Sequence, residues 1–554
     1  MKRGIAIITF ILSLQELNLS MKLDGIPFQQ TGYFSKLICD YLEEHKALKP
    51  FYNRFPALKN FEAQIQEKSI NFPRHNRKIL STALQKQYAA TAISGATQHY
   101  ISLLNDEKTF TLVTGHQLNL FTGPLYFLYK IIATINLTKE LKKAYSDYNF
   151  VPIYWMATED HDFDEINYFN LNGKKIQWNK KVSGGVGRLD TKGLEVVFGT
   201  LAAELGGSKN ATELKELFSD AYLKHDTLTD ATRYLANALF SEYGLVIVDG
   251  DDAALKQVLI PFITSDILEN IAFKNVLATI EKINKVDDDY GIQVNPREIN
   301  YFYLMDDIRE RIIEKNGIFH VNDTKISFTK DEILLEIKNH PERFSPNVVT
   351  RPLYQEVILP NLCYIGGGGE LAYWLEIKAY FDAVNITFPM LLLRNSALLI
   401  TEKQHQKLEH LKILPSHLFL KQNSLINKKI REISNIDIDF KIQKEQLKEH
   451  FVYLYDLAAQ TDKSFIGAVK AQEVKQIKGL EHLEKRLLKA QKKKLKDHVV
   501  RITTIQNELF PNQSLQERQA NFSELYLEHG DTLIPELMEN LKPLSQDFVI
   551  LKLS

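Results

Sequence analysis

Short continuous runs of apolar residues, rather than alternating ones, recur along the chain at residues 110–113 (FTLV), 150–157 (FVPIYWMA), 244–248 (GLVIV), 362–365 (LCYI) and 390–393 (MLLL). Continuous apolar strands are what a parallel sheet covered on both faces requires. After the first run come Thr114-Gly115-His116-Gln117 and Thr122-Gly123-Pro124, a helical pattern over 125–145, and then the second run. Strand, glycine-bearing turn, helix and strand make a βαβ unit. The same order recurs at 244–252 and at 362–393, where Gly366 to Gly369 precede a helix predicted over 370–384. The pattern predicts an α/β, doubly wound core whose sheet is assembled from distant segments.

Residues 21–105 read as a helical lead-in, broken at Pro50, Pro56 and Pro73. Residues 168–200 and 291–328 read as short strands and turns inserted between core segments. The tail differs: one helix is predicted over 440–461 and a second, continuous over 464–509, would project about 70 Å. Its apolar spacing slips between Leu487 and Leu495, which predicts an irregular coiled-coil hairpin. A last strand is expected over 548–553. The units expected are a mis-called start or extra segment 1–20, then 21–167 (lead-in and first core part), 168–240 (insertion), 241–270 (core), 271–343 (second insertion), 344–420 (core with the glycine loop), 421–511 (hairpin) and 512–554 (return to the core). Segment 1–20 imitates a secretory signal with Met1-Lys2-Arg3 and an apolar run over 4–14, but no small-x-small cleavage site follows.

Composition narrows the classes. With 44% hydrophobic and 25% charged residues the chain matches ordinary globular usage. Sixty-eight basic residues against sixty-nine acidic ones leave no net field to recruit nucleic acid or an anionic membrane. Cys39 and Cys363 stand alone, which excludes a disulfide scaffold and a thiolate metal site and points to a reducing compartment, hence a cytoplasmic protein. No apolar stretch reaches the length of a membrane span.

In an open parallel sheet, ligands bind beyond the carboxyl ends of the strands, and three motifs fall there. Around Gly115 and Gly123, glycines let backbone approach a ligand, and the following helix offers N–H groups to phosphate. His116 would donate to a phosphate oxygen; a tight strand-to-helix turn is the equal alternative. Residues 158–165 hold five carboxylates and one histidine, enough to hold an ammonium group or Mg²⁺, with His161 as general base; a solvated acidic turn is the competing reading. Four consecutive glycines before Glu370 suggest an anion nest, while Arg351 and Arg394 suit carboxylates. Trp374, at helical spacing from Leu371 and Ile377, also reads as core. Residues 183–188 (SGGVGR) read as a plain turn or a flexible lid, and residues 463–501 carry twelve basic and four acidic residues, a solvated face or an RNA contact.

At these motifs the chain resembles the bacillithiol-biosynthesis cysteine ligase (BshC) family, from Met21 to Ser554. The resemblance is carried by residues 113–117 and 121–126, 159–165, 186–188, 344–352, 367–374 and 515–518. Many members have Gln at the position of His116 and Gly-Pro-Gly-Glu where this chain has Gly367 to Glu370. The resemblance implies a Rossmann-like core with connecting insertions, like that of the class I synthetases, a coiled coil that makes a homodimer, and the joining of the cysteine carboxyl to the amine of glucosaminyl malate. A carboxylate needs activation to meet an amine, most simply by ATP. The expected catalytic residues are His161, Asp160, Glu159 and His116. Substrate is assigned to Asp162, Asn347, Arg351, Glu370, Tyr373, Trp374 and Arg394. Nucleotide phosphates are assigned to Thr114, Gly115, Gln117, Thr122, Gly123, Gly367, Gly368 and Gly369. No resident metal site is expected, and no membrane or nucleic-acid partner. A non-catalytic nucleotide-sensing adaptor and an RNA-binding synthetase relative are the alternatives.

Overall fold

Five runs of large apolar residues form the central sheet of the computed structural model, which describes residues 24–553. The strands are β1 (Thr109–His116), β2 (Asn149–Met156), β3 (Val246–Asp249), β4 (Asn361–Gly366) and β5 (Met390–Leu393). All neighbours are parallel and the order is β5-β4-β1-β2-β3. The chain winds from β1 to β3 in one direction and returns to place β4 on the other side of β1. The winding therefore reverses between β1 and β4, where a doubly wound sheet opens its ligand crevice. Every residue of β1, β4 and β5 is buried, which explains the absence of alternation in the sequence. Helix α1 (Tyr126–Ala144) packs on β1 and β2. Its Ala133, Leu137 and Leu141 join Phe110, Leu112, Phe150, Leu362, Ile365 and Met390 in one core cluster.

The insertion after β2 begins with the hairpin Tyr168–Leu171 and Lys174–Gln177. From Leu194 it is helical, not strand and turn as expected: Leu194, Val197, Leu201 and Leu205 bury one face of the helix Leu194–Leu205. After β3 come α2 (Ala253–Glu269) and Ile271–Val286. A five-stranded antiparallel sheet follows, ordered Ser327–Phe328, Ile318–Val321, Ile308–Lys315, Tyr301–Met305 and Phe344–Pro346. Helix α3 (Arg351–Ile358) leads into β4, and α4 (Gly368–Glu376) leaves it. The helix expected over 370–384 breaks at Ile377 before Lys378–Ala383. A short strand missed in the sequence, Asp24–Pro27, pairs antiparallel with Asp547–Lys552.

The chain divides into two compact units, one running to Leu398 and resuming over Gln516–Leu551, the other comprising Leu399–Leu515 and the residues from Lys552. In the second unit, Lys441–Ala459 and Lys463–Lys494 form a helical hairpin, with Phe451, Ala458 and Val469 buried between them. The long tail helix is not continuous: it breaks at Leu495 (φ −100°, ψ 33°), where the apolar spacing slips, and resumes as Lys496–Leu509. The first segment spans about 48 Å at 1.5 Å per residue. The expected segment 1–20 lies outside the described residues. No described helix is long and apolar enough to cross a membrane.

Candidate active site

A cavity of about 670 Å³ opens at the carboxyl ends of β1, β2 and β4, a volume suited to a small ligand. Among the residues singled out in the sequence, Gly115, His116, Gln117, Glu159, Asp160, His161, Asp162, Asn347, Arg351, Gly367, Gly368, Gly369, Glu370, Tyr373 and Arg394 line it. Thr114, Thr122, Gly123 and Trp374 do not. The Thr114 hydroxyl points into the sheet and donates to Ile365 O at 2.7 Å. Trp374 is fully buried against Tyr364, Phe381 and Phe388. The turn before α1 is clamped from outside the crevice: Asn521 Nδ2 donates to Phe121 O and Gly123 O, and Leu125 N–H donates to Ala520 O. Phe121, Thr122 and Gly123 all have positive φ, and that clamp holds the strained turn. The Gly123 and Leu125 N–H groups, in the turn expected to receive phosphate, donate to Leu120 O and Ala520 O and are committed to structure.

At the β1/β4 switch point Lys130 and Glu370 form an ion pair. Lys130 Nζ, from α1, sits 2.5 Å from Glu370 Oε2 and donates to Gly115 O at 2.7 Å. Tyr364 OH donates to Glu370 Oε1 at 2.6 Å, and Gly367 N–H donates to Oε2 at 2.8 Å. Burial alone would raise the Glu370 pKa, but Lys130, the Gly367 N–H and the Tyr364 hydroxyl outweigh it and hold the group below its ordinary value. The nest expected for an external anion is thus partly filled by the chain's own carboxylate. The glycines serve differently. A Cβ on Gly366 would lie 2.9 Å from Tyr364 and 3.0 Å from Leu371, whereas one on Gly369 would meet only Gln293 at 3.7 Å. Arg394, directly after β5, gives Nη2 to Glu517 Oε1 and Nη1 to Asn395 O and Ser396 Oγ, while its buried Nε has no partner. Arg351 Nη1 donates to Gln355 Oε1 at 3.1 Å, and its guanidinium lies 5.9 Å from the Trp155 ring centroid and 5.8 Å from that of Tyr364.

The acidic stretch after β2 divides by partner. Glu159 pairs at 2.5 Å with Lys256 Nζ of α2, which also donates to Phe344 O. Burial pushes the Glu159 carboxyl up to about 7, the Lys256 charge offsetting only part of that cost. Asp160 accepts from Gln117 Nε2 at 3.0 Å and from His161 N–H at 2.8 Å. Its burial, which opposes charge, is outweighed by His161, Gln117 and Arg309, leaving the carboxyl far below its ordinary value. Arg309 Nη1 meets His161 Nδ1, so that nitrogen accepts and the ring proton resides on Nε2. His161 then has no lone pair free to act as the expected base. Asp160, His161 and Asp162 bring one ligand atom each within 4.8 Å of one another. Arg309 is their cationic neighbour, meeting His161 and lying within electrostatic reach of both carboxylates. Asn347, expected to hold substrate, uses its Oδ1 to accept from Val349 N–H and Thr350 N–H and its Nδ2 to donate to Asn300 Oδ1. Its amide shapes the turn into α3 instead.

The glycine segment before Arg188 is a fastened turn, not a lid. Val186 N–H donates to Asp160 O at 2.7 Å, Gly187 N–H to Thr158 O at 2.8 Å, and Arg188 forks onto both oxygens of Asp251. Sequence reasoning missed Lys130, Arg297, Arg309, Arg311, Tyr364 and Arg518, all of which line the cavity. Arg309 and Arg311 stand two apart on the strand Ile308–Lys315 and share a face, a signal the sequence does carry. Arg518 was flagged only as part of a resemblance motif.

The chain matches the family description "Bacillithiol biosynthesis BshC, N-terminal Rossmann-like domain" over residues 21–395 and "Bacillithiol biosynthesis BshC, C-terminal coiled-coil domain" over 397–553. It is 61% identical over 531 residues to a Flavobacterium johnsoniae protein named "Putative cysteine ligase BshC", covering 96% of this chain and 100% of the relative. Proteins of the same name from Christiangramia forsetii (61% over 535 residues, 96% and 99% covered) and Flavobacterium psychrophilum (58% over 533 residues, 96% and 100% covered) are similarly alike.

Proposed function

Because the chain belongs to the bacillithiol biosynthesis BshC family through both its Rossmann-like and its coiled-coil parts, we propose that it is a cysteine ligase. It joins the carboxyl of cysteine to the amine of glucosaminyl malate, with ATP activating the carboxyl. The observation that carries this reading is the lining of the switch-point cavity. Lys130, Arg297, Arg309, Arg311, Arg351, Arg394 and Arg518 converge on one crevice, and the buried Arg394 Nε still lacks an acceptor. Unsatisfied buried donors cost about 1–3 kcal/mol each, so this arrangement favours a ligand rich in carboxylate or phosphate oxygens. The malyl carboxylates and a nucleotide's phosphates both have that chemistry.

The residues divide the work by charge. Arg351, Arg394 and Arg518 bind anionic oxygens, and the Lys130–Glu370 pair fixes the floor between β1 and β4. Glu159 is committed to Lys256, which leaves Asp160 and the exposed Asp162 to orient the cysteine ammonium. ATP supplies the leaving group that a free carboxylate lacks. Exposed Val452, Tyr453, Leu457, Phe465 and Ile466 on the helical hairpin support pairing with a second copy.

Cysteine labelled with ¹⁸O in its carboxylate tests the activation. As the amide forms, one label should leave on the phosphate-bearing product, AMP or inorganic phosphate, read by mass spectrometry. Amide formation with the second label released as water, and none on AMP or inorganic phosphate, would exclude activation of this carboxyl by ATP.

A further inference from the structure

The conformation of His116 contradicts the expectation that it donates to phosphate. Its ring closes β1, only 7% exposed, edge-on to Tyr126 at 5.5 Å between centroids and tilted on Phe127 at 5.0 Å. Nε2 is buried and has no hydrogen-bond partner, while the backbone of Thr122 bonds the ring in the sense that favours its proton. With Nε2 unpartnered, that bond runs from Nδ1–H to the Thr122 carbonyl, which fixes the tautomer. Nε2 is then a bare, buried lone pair on a residue that lines the cavity. Burial, with Lys130 and Arg394 nearby, holds the ring well below its ordinary pKa. A phosphate oxygen brings only acceptors, and two acceptors facing each other repel.

We infer that His116 is a neutral hydrogen-bond acceptor in the cavity, and that its Nε2 receives a hydroxyl or un-ionised amine hydrogen of the organic ligand rather than contacting phosphate. The positively charged surroundings make the choice specific: an ammonium is repelled by Lys130 and Arg394, a phosphate finds no donor at Nε2, and a neutral O–H or N–H fits both conditions. The ligase reading matters only for the identity of the donor, which is a sugar or ribose hydroxyl or the glucosaminyl amine.

Calorimetric binding of three probes to the full chain and to His116→Phe, which keeps a ring against Tyr126 and Phe127, separates the cases. The substitution should weaken either glucosaminyl malate or ATP about five- to tenfold and leave inorganic tripolyphosphate unchanged; whichever organic ligand weakens carries the donor. Equal weakening of tripolyphosphate, or no change for any probe, overturns the inference. A second readout needs no variant. In histidine-¹⁵N spectra of the wild-type protein, the His116 proton should stay on Nδ1 from pH 6 to 8 without titration. A proton on Nε2, or a midpoint near the ordinary histidine value, overturns it as well. Failure of the ligase reading would appear separately, as wild-type protein that binds these ligands and makes no amide.

Discussion

Glu376 shows how a single side chain sets a stretch of cavity wall that has no regular structure. Its two oxygens accept from Gln293 N–H and Val294 N–H at 2.8 and 3.0 Å, and burial pushes the carboxyl up to about 7 from an ordinary 4.5. Asp266 fastens the far end of the same segment through Asn300 N–H, and Asn295 and Arg297 between them face the cavity. A carboxyl whose pKa is raised on folding contributes stability that is complete below its unfolded value and is lost as pH rises through its folded one. The wild type should therefore lose up to about 3 kcal/mol from this group between pH 4.5 and 7. Glu376→Gln lacks that loss, so the stability gap between wild type and variant should narrow as pH rises through the window in parallel urea titrations; a gap independent of pH would contradict it. The Lys256–Glu159 pair poses the complementary test. Removing the fully buried Lys256 strands a carboxylate, and Lys256→Met should cost about 3–5 kcal/mol, most of it recovered in the double variant with Glu159→Gln. An additive double-mutant cycle would show that the two do not act as a pair.

Elements were legible where one physical signal dominated. Continuous apolar runs marked all five core strands because a doubly covered parallel strand has no polar face to display. The slip in spacing near Leu495 marked the break in the tail helix, although the sequence reading kept that helix whole. Other features depended on tertiary partners that local sequence cannot show. Thr122-Gly123 looked like a phosphate turn, and only Asn521, some 400 residues on, explains its clamped backbone. Asn347 looked like a substrate contact until Asn300 and the α3 turn claimed its amide. Gly187 has a reason visible only in three dimensions: a Cβ there would stand 2.5 Å from Thr229 Oγ1 and 2.6 Å from Thr158 Cβ. Gly187→Ala should cost about 1–3 kcal/mol and disturb the Thr158–Asp160 wall it bonds. Gly467→Ala, in the exposed hairpin helix where nothing lies within 4 Å, should instead stabilise by about 0.5–1 kcal/mol. Thermal unfolding distinguishes the two, and loss of stability in both would refute the packing argument.

For the molecule as a whole, a formal charge of −1 conceals strong local fields: a cation-rich crevice at the sheet's switch point and a basic hairpin helix. If the hairpin pairs two copies, sedimentation should show a dimer that Tyr453→Asp with Phe465→Asp converts to a monomer; a wild-type monomer at micromolar concentration would remove that role. The central claim is that the switch-point cavity forms an amide. Mass spectrometry of the purified protein with cysteine, glucosaminyl malate and ATP tests it most directly, beside Arg351→Ala of matching unfolding behaviour. The account predicts a product with the summed mass less one water, formed together with AMP or ADP, and a loss of about a hundredfold or more in the variant. No amide from folded wild-type protein, or wild-type turnover by Arg351→Ala, would contradict it.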